Sequence, residues 1–179
     1  MLHTLLLGAL PLALLSGSPD SIAAHPVAAA PAAGGGGPLA MADSIVLEKK
    51  ARRLTLYRMG KPMRSYQVAL GNAVGDKVSA GDRKTPEGLY AIEARNPHSA
   101  YHLSLQISYP DAAHRARAEA LGVSPGGNIM IHGLPNGRGS VGAWHRNFDW
   151  TNGCVALTDE EIEEIWNVVP IGTPIEIKP

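Results

Sequence analysis

Between residues 43 and 179 the apolar side chains come in short runs, each ended by charged or polar residues or by Gly, Pro, Asn or Asp. Runs that short do not build long helices, and several alternate apolar with polar residues, the period of a half-buried strand. Strands are expected at Ser44–Leu47, Leu54–Tyr57, Ser65–Leu70, Leu89–Ile92, Tyr101–Ile107 and Asn128–Ile131, with a turn at Lys61–Pro62 and an edge strand, Thr173–Lys178, closing the chain. The Gly-, Asn- and Asp-rich stretch Gly71–Gly88 predicts a long surface loop. Two short helices interrupt the pattern. One spans Asp111–Leu121, with Asp111 as N-cap and Gly122 as its stop. The other starts at a Thr158/Glu161 capping box, carries Ile162, Ile165, Trp166 and Val169 on one face and ends at Pro170. The expected fold is mainly β with two short helices, an α+β domain over residues 43–179.

Cys154 is the chain's only cysteine, so an internal disulfide and a multi-thiolate metal site are both excluded. A lone cysteine is most simply a small buried core residue. Here, however, it follows Asn152 and Gly153, turn formers that hold it near a surface. A thiol becomes a good nucleophile only when ionised, and an imidazole is its usual activator. His132 stands at the end of the apolar run Ile129–Ile131, where Gly133 opens a loop; this places an imidazole at a strand end and a thiol in a turn. His145, flanked by Trp144 and Arg146, is the competing base, or else lines the cleft. His132, His145, Asp149 and Cys154 are all metal-capable, but they show no ligand spacing, and neither metal nor cofactor is expected.

The run Ile129-Met130-Ile131-His132-Gly133, followed after a loop by Thr151-Asn152-Gly153-Cys154 and an apolar residue, resembles the L,D-transpeptidase catalytic (YkuD-type) domain. Gly81-Asp82-Arg83-Lys84-Thr85-Pro86-Glu87-Gly88, Ser108-Tyr109-Pro110-Asp111 and Asp149-Trp150-Thr151-Asn152-Gly153-Cys154 extend the match. They resemble the branch of that family with a DWTxGC motif that includes murein hydrolases. The resemblance implies a β-sandwich-like mixed sheet, Cys154 as nucleophile, His132 as general base, and peptidoglycan stem peptides as substrate. It further implies that Asn152, Gly153 and Thr151 form the turn that supplies oxyanion donors, and that Gly133, Tyr109, His145 and Arg146 contact substrate. Arg138 is a further candidate for the stem's carboxylates. The thioester would pass to an amine, as in a transpeptidase, or to water, as in a carboxypeptidase or an amidase releasing a murein-linked protein. Two positions depart from the common signature: Asn152 stands where a His usually precedes Gly-Cys, and Ala156 where an Arg or Asn usually follows.

The 16 basic and 16 acidic residues balance, which gives no basic stripe for nucleic acid. Leu5–Leu15 is an apolar run of signal-peptide length, followed by small residues with Ala23 or Ala24 suited to cleavage. A leader over residues 1–24, an Ala/Gly/Pro linker over 25–42 and export to the periplasm are therefore expected. No integral membrane segment is expected after leader removal.

Overall fold

In a computed structural model, which describes residues 40–179, eight strands join in the order β3-β2-β1-β8-β4-β5-β6-β7. The expected leader and nearly all of the expected linker lie outside the described residues. β1 (Ser44–Glu48) and β2 (Arg53–Arg58) form an antiparallel hairpin, and β3 (Lys61–Gln67) adds to its outer edge. The turn between β2 and β3 falls on Met59 and Gly60, both with left-handed backbone (φ +52 and +73), as a tight two-residue hairpin requires. Lys61–Pro62 is thus the start of a strand and not a turn. Pro62, which lacks a donor N–H, is tolerated because β3 is an edge strand.

β8 (Pro174–Lys178) is not an edge strand, as its sequence suggested. It lies mid-sheet, parallel to β1 and antiparallel to β4 (Gly88–Ser99), and buries Ile175 and Ile177. β4 is also longer than the run Leu89–Ile92 implied. It carries register shifts after Ile92 and Asn96 and serves both halves of the sheet, pairing with β8 through its first residues and with β5 (His102–Ile107) through the rest. β6 (Met130–His132) adds antiparallel to β5, and the two-residue β7 (Val155–Ala156) adds parallel to β6. The result is a mainly β mixed sheet.

Helix α1 (Ala112–Ala120) is capped by the Asp111 carboxylate, which accepts from the His114 N–H. Helix α2 (Asp159–Val168) begins with the reciprocal Thr158/Glu161 box and packs Ile162, Ile165 and Val168 into the core against β5. One core runs through the sheet and α2, from Leu47 and Leu54 to Leu105, Ile107, Ile131 and Leu157. A 3-10 segment, Gly139–Asn147, kinked at Gly142, lies within what reads in sequence as plain loop.

The stretch 71–88 is a loop, but not a loose surface one: Lys77 and Thr85 are buried within it. Lys49, itself 0% exposed, donates from Nζ to the Gly75 and Thr85 carbonyls at 2.7 and 2.9 Å and to Glu87 Oε1 at 2.8 Å. All three ammonium donors are therefore satisfied. Asp82 does the complementary work, accepting from Lys77 Nζ and from the Val78, Ser79 and Lys84 amides; these donors hold its carboxyl well below the usual range. Polar residues are buried here because they satisfy one another and the loop's own backbone. Lys49→Met keeps the bulk but leaves these acceptors unpaired, so it is expected to cost on the order of 3 kcal/mol, read as a lower midpoint in chemical denaturation.

Candidate active site

β6 and β7 run parallel with Ile131 opposite Val155 and His132 opposite Ala156. Side chains alternate along a strand, so His132 points to the same side as Ala156 and as Cys154, two residues before it. That diagonal is roughly 8 Å between Cα atoms for a strand spacing of about 4.8 Å and a rise of about 3.3 Å. His132 and Cys154 both line one cavity of about 240 Å³. Thr151 and Asn152 form part of its wall, as do Trp150 and Tyr101.

The His132 ring is buried, and its Nδ1 lies 2.7 Å from the Gly133 carbonyl oxygen. A carbonyl only accepts, so Nδ1 carries the proton and Nε2 is left bare as a base. Tyr101 lies tilted beside the ring at 4.5 Å and Trp150 meets it in a T-shaped arrangement at 5.8 Å between centroids. Burial pushes the imidazole's pKa down, and the hydrogen bond to Gly133 only partly opposes this. Cys154 is half-buried. Its thiol donates to the Asn128 carbonyl at 3.6 Å, not to an imidazole. Burial pushes this thiol up, while the Met130 N–H and the Lys77 charge pull it partway back. Both shifts favour the uncharged forms of the imidazole and the thiol.

The turn that presents Cys154 is held by Thr151. Its hydroxyl donates to the Cys154 carbonyl at 2.7 Å and accepts from the Gly153 N–H at 3.2 Å. The Gly153 amide is therefore engaged within the turn and is not aimed at a ligand. The amide of Thr151 is engaged too, by the Leu70 carbonyl at 3.0 Å. Gly153 itself has φ +115, and a Cβ there would meet the Lys84 carbonyl oxygen at 2.5 Å. The strand of loop Arg83–Lys84 thus lies directly under the cysteine turn, which ties the Gly81–Gly88 stretch to the site through backbone packing. Asp149 fixes the other side, accepting from Arg52 at 2.6–3.1 Å and from the Leu70 N–H at 3.1 Å.

The remaining sequence candidates lie away from the cavity wall. Gly133 provides the carbonyl for His132 and packs where a Cβ would meet Asp159 Oδ1 at 2.7 Å. Tyr109 is buried and donates its hydroxyl to the Pro125 carbonyl at 2.8 Å. The Arg146 guanidinium is paired with Glu161 of the α2 capping box. Arg138 is exposed on its loop. His145 is buried and takes the Trp150 indole N–H on Nδ1 at 3.4 Å. Burial and the neighbouring Arg146 push its pKa down to about 4. It meets the cavity only through Trp150, which leaves His132 as the imidazole facing the sulfur's side of the site.

Sequence reasoning missed Tyr101, Asn128, Ser99 and Met130 as wall residues. Asn128 gives a faint signal, since it follows Gly126-Gly127 and adopts a left-handed backbone (φ +54). Tyr101 gives none: only the β4–β5 corner brings it to His132. Asn136 pins that corner by accepting from the His102 N–H at 2.9 Å and donating to the Ser99 carbonyl at 3.1 Å.

Alkylation of Cys154 by iodoacetamide is expected to keep accelerating past the ordinary cysteine pKa of about 8.5, with no plateau near neutrality. A plateau there would mark a preformed thiolate–imidazolium pair. Gly153→Ala, strained at its φ and pressed on Lys84, is expected to cost about 2 kcal/mol in chemical denaturation.

The model for the YkuD family, described as the L,D-transpeptidase catalytic domain, matches residues 42–177. The chain is 31% identical over 133 residues to a protein of Escherichia coli (strain K12) with the provisional name L,D-transpeptidase YafK, covering 70% of this chain and 46% of that protein. The chain thus spans about half the length of this relative. Among solved structures, the helical cell shape determining protein Pgp2 from Campylobacter jejuni superposes with a TM-score of 0.58 at 24% identity, over 81% of this chain and 53% of that one. An L,D-transpeptidase from Mycobacterium smegmatis superposes with a TM-score of 0.51 at 16% identity, over 77% and 59%. These likenesses are of fold. By the extent of the family match, the chain belongs to the L,D-transpeptidase catalytic domain family.

Proposed function

We propose that the protein is a cysteine acyl-transfer enzyme acting on peptidoglycan stem peptides in the cell envelope. The observation that carries this reading is the placement of His132 and Cys154 on one side of the β6–β7 ladder, in one cavity, with the imidazole proton held on Nδ1.

The reaction starts from the neutral pair. As substrate fills the cavity, the thiol turns from the Asn128 carbonyl towards His132 and its proton passes to Nε2. The sulfur attacks the carbonyl of the amide joining the L-centre of the stem's diamino acid to a D-residue. The oxyanion is stabilised by backbone amides of the Asn152–Cys154 turn other than that of Gly153, which Thr151 holds; one such donor is worth on the order of 10²–10³ in rate. Collapse breaks the C–N bond, and the imidazolium returns its proton to the leaving amine. Tyr101 and Trp150 flank the ring and hold its orientation during the transfer. The His132 ring is buried, so the charge it gains is felt more strongly than it would be in solvent. The thioester then passes to an acceptor amine, or to water on the same scaffold, where the product is a trimmed stem or a released murein-linked protein.

Incubation with purified sacculi and mass spectrometry of the muropeptides tests this directly. New 3→3 cross-links or exchanged D-amino acids mark transfer, and shortened stems mark hydrolysis. Cys154→Ala is expected to abolish either product, and His132→Gln to lower the rate at least about 10²-fold. Unchanged products with Cys154→Ala would overturn the reading.

A further inference from the structure

The chain has a single Phe and three Trp, and it does not use all of them to fill its core. Trp166 packs against the core under Arg95, and Trp150 walls the cavity. Phe148 and Trp144, by contrast, stand 52% and 64% exposed and touch each other edge to face at 5.6 Å between centroids. The other large exposed apolar residues, such as Met59, Val74, Leu89 and Ile171, belong to separate stretches of the chain, and single apolar residues at a surface need no explanation. Two adjoining aromatic rings in water do.

Their support is firm. The segment that presents them is anchored inward by buried His145 against Trp150, by Arg146 on Glu161, and by Asp149 on Arg52. Each anchor is within two residues of one of the exposed rings. Phe148 is also only two residues from Trp150, which walls the cavity. The segment that presents the two rings is thus tied to the cavity wall through the contact of His145 with Trp150. The cavity holds about 240 Å³, below the roughly 300–1,000 Å³ usual for a site that encloses its ligand. It accommodates the reacting amide and its flanking side chain, so the bulk of a glycopeptide must rest on surface outside it.

We propose that Trp144 and Phe148 form a stacking subsite for the sugar rings of a glycan strand, beside the catalytic cavity. This inference rests on the peptidoglycan reading above. A pyranose presents C–H groups on its faces, and the edge-to-face pair offers one ring to a sugar face and the second to its rim. Neither ring carries charge, and the sugars carry none once the lactyl carboxyl is in amide linkage, so the contact needs no ion pair. The subsite would orient the strand so that its attached stem reaches Cys154.

The test uses uncharged N-acetylglucosamine strands without stems, colloidal chitin for sedimentation and chitohexaose for fluorescence, with the full chain as binder. Co-sedimentation and tryptophan fluorescence report binding. The Trp144→Ala/Phe148→Ala variant is expected to bind at least tenfold more weakly, with the same thermal unfolding midpoint. Trp144→Tyr/Phe148→Tyr, which keeps two flat rings, is expected to stay within threefold of the native chain. Equal binding by the alanine variant would overturn the proposal, as would no binding by the native chain. Binding to phosphatidylethanolamine–phosphatidylglycerol vesicles in place of glycan, lost in the alanine variant, would overturn it in favour of a membrane contact. These strands carry no stem, and so no peptide amide for Cys154 to attack, which makes this result independent of whether the cysteine is ever acylated.

Discussion

The proton on His132 Nδ1 is shared with a backbone carbonyl 2.7 Å away, inside a site with little access to bulk water. Burial keeps the ring neutral, and the carbonyl decides which nitrogen stays bare. The same desolvation raises the thiol. A neutral imidazole and a neutral thiol are less reactive than an ion pair, and in the proposed mechanism the ionised state arises only when substrate occupies the cavity. With one unpaired cysteine in the chain, that also limits reaction with stray oxidants and electrophiles.

The fold serves this contact in layers. β8 and β4 at the middle of the sheet carry the core, and β5 and β6 extend it to deliver His132. The cysteine turn is gripped from two directions: Arg83–Lys84 backbone packs beneath Gly153, and Leu70 bonds both Asp149 and Thr151. Buried Lys49 and Lys77 in turn stiffen the 71–88 loop that supplies the first grip. Charges far from the sulfur by sequence thus determine how precisely it is held.

Much of this was legible in the chain itself. Period-2 runs marked most strands, and the caps at Asp111 and Thr158 marked both helix starts, because those signals are local. The placement of Cys154 after a glycine turn and of His132 at a strand end was local too. What the sequence concealed was non-local. Nothing in Pro174–Lys178 distinguishes an edge strand from one inserted between β1 and β4. The charged second half of β4 reads as loop because its pattern answers to an irregular, exposed pairing with β5. His145 and Arg146 are polar and sit beside a tryptophan, so they read as cleft residues; folding instead turns them inward, onto Trp150 and Glu161.

The proposed chemistry depends on the tautomer and charge of the His132 ring. Nitrogen-15 NMR of histidine-labelled protein at pH 7 reads both directly. The resonances of His132 are expected to show Nδ1 protonated and Nε2 bare, with no imidazolium until the pH falls below the ordinary histidine value of about 6.5. A doubly protonated ring at pH 7, or a proton on Nε2 in its place, would contradict the account.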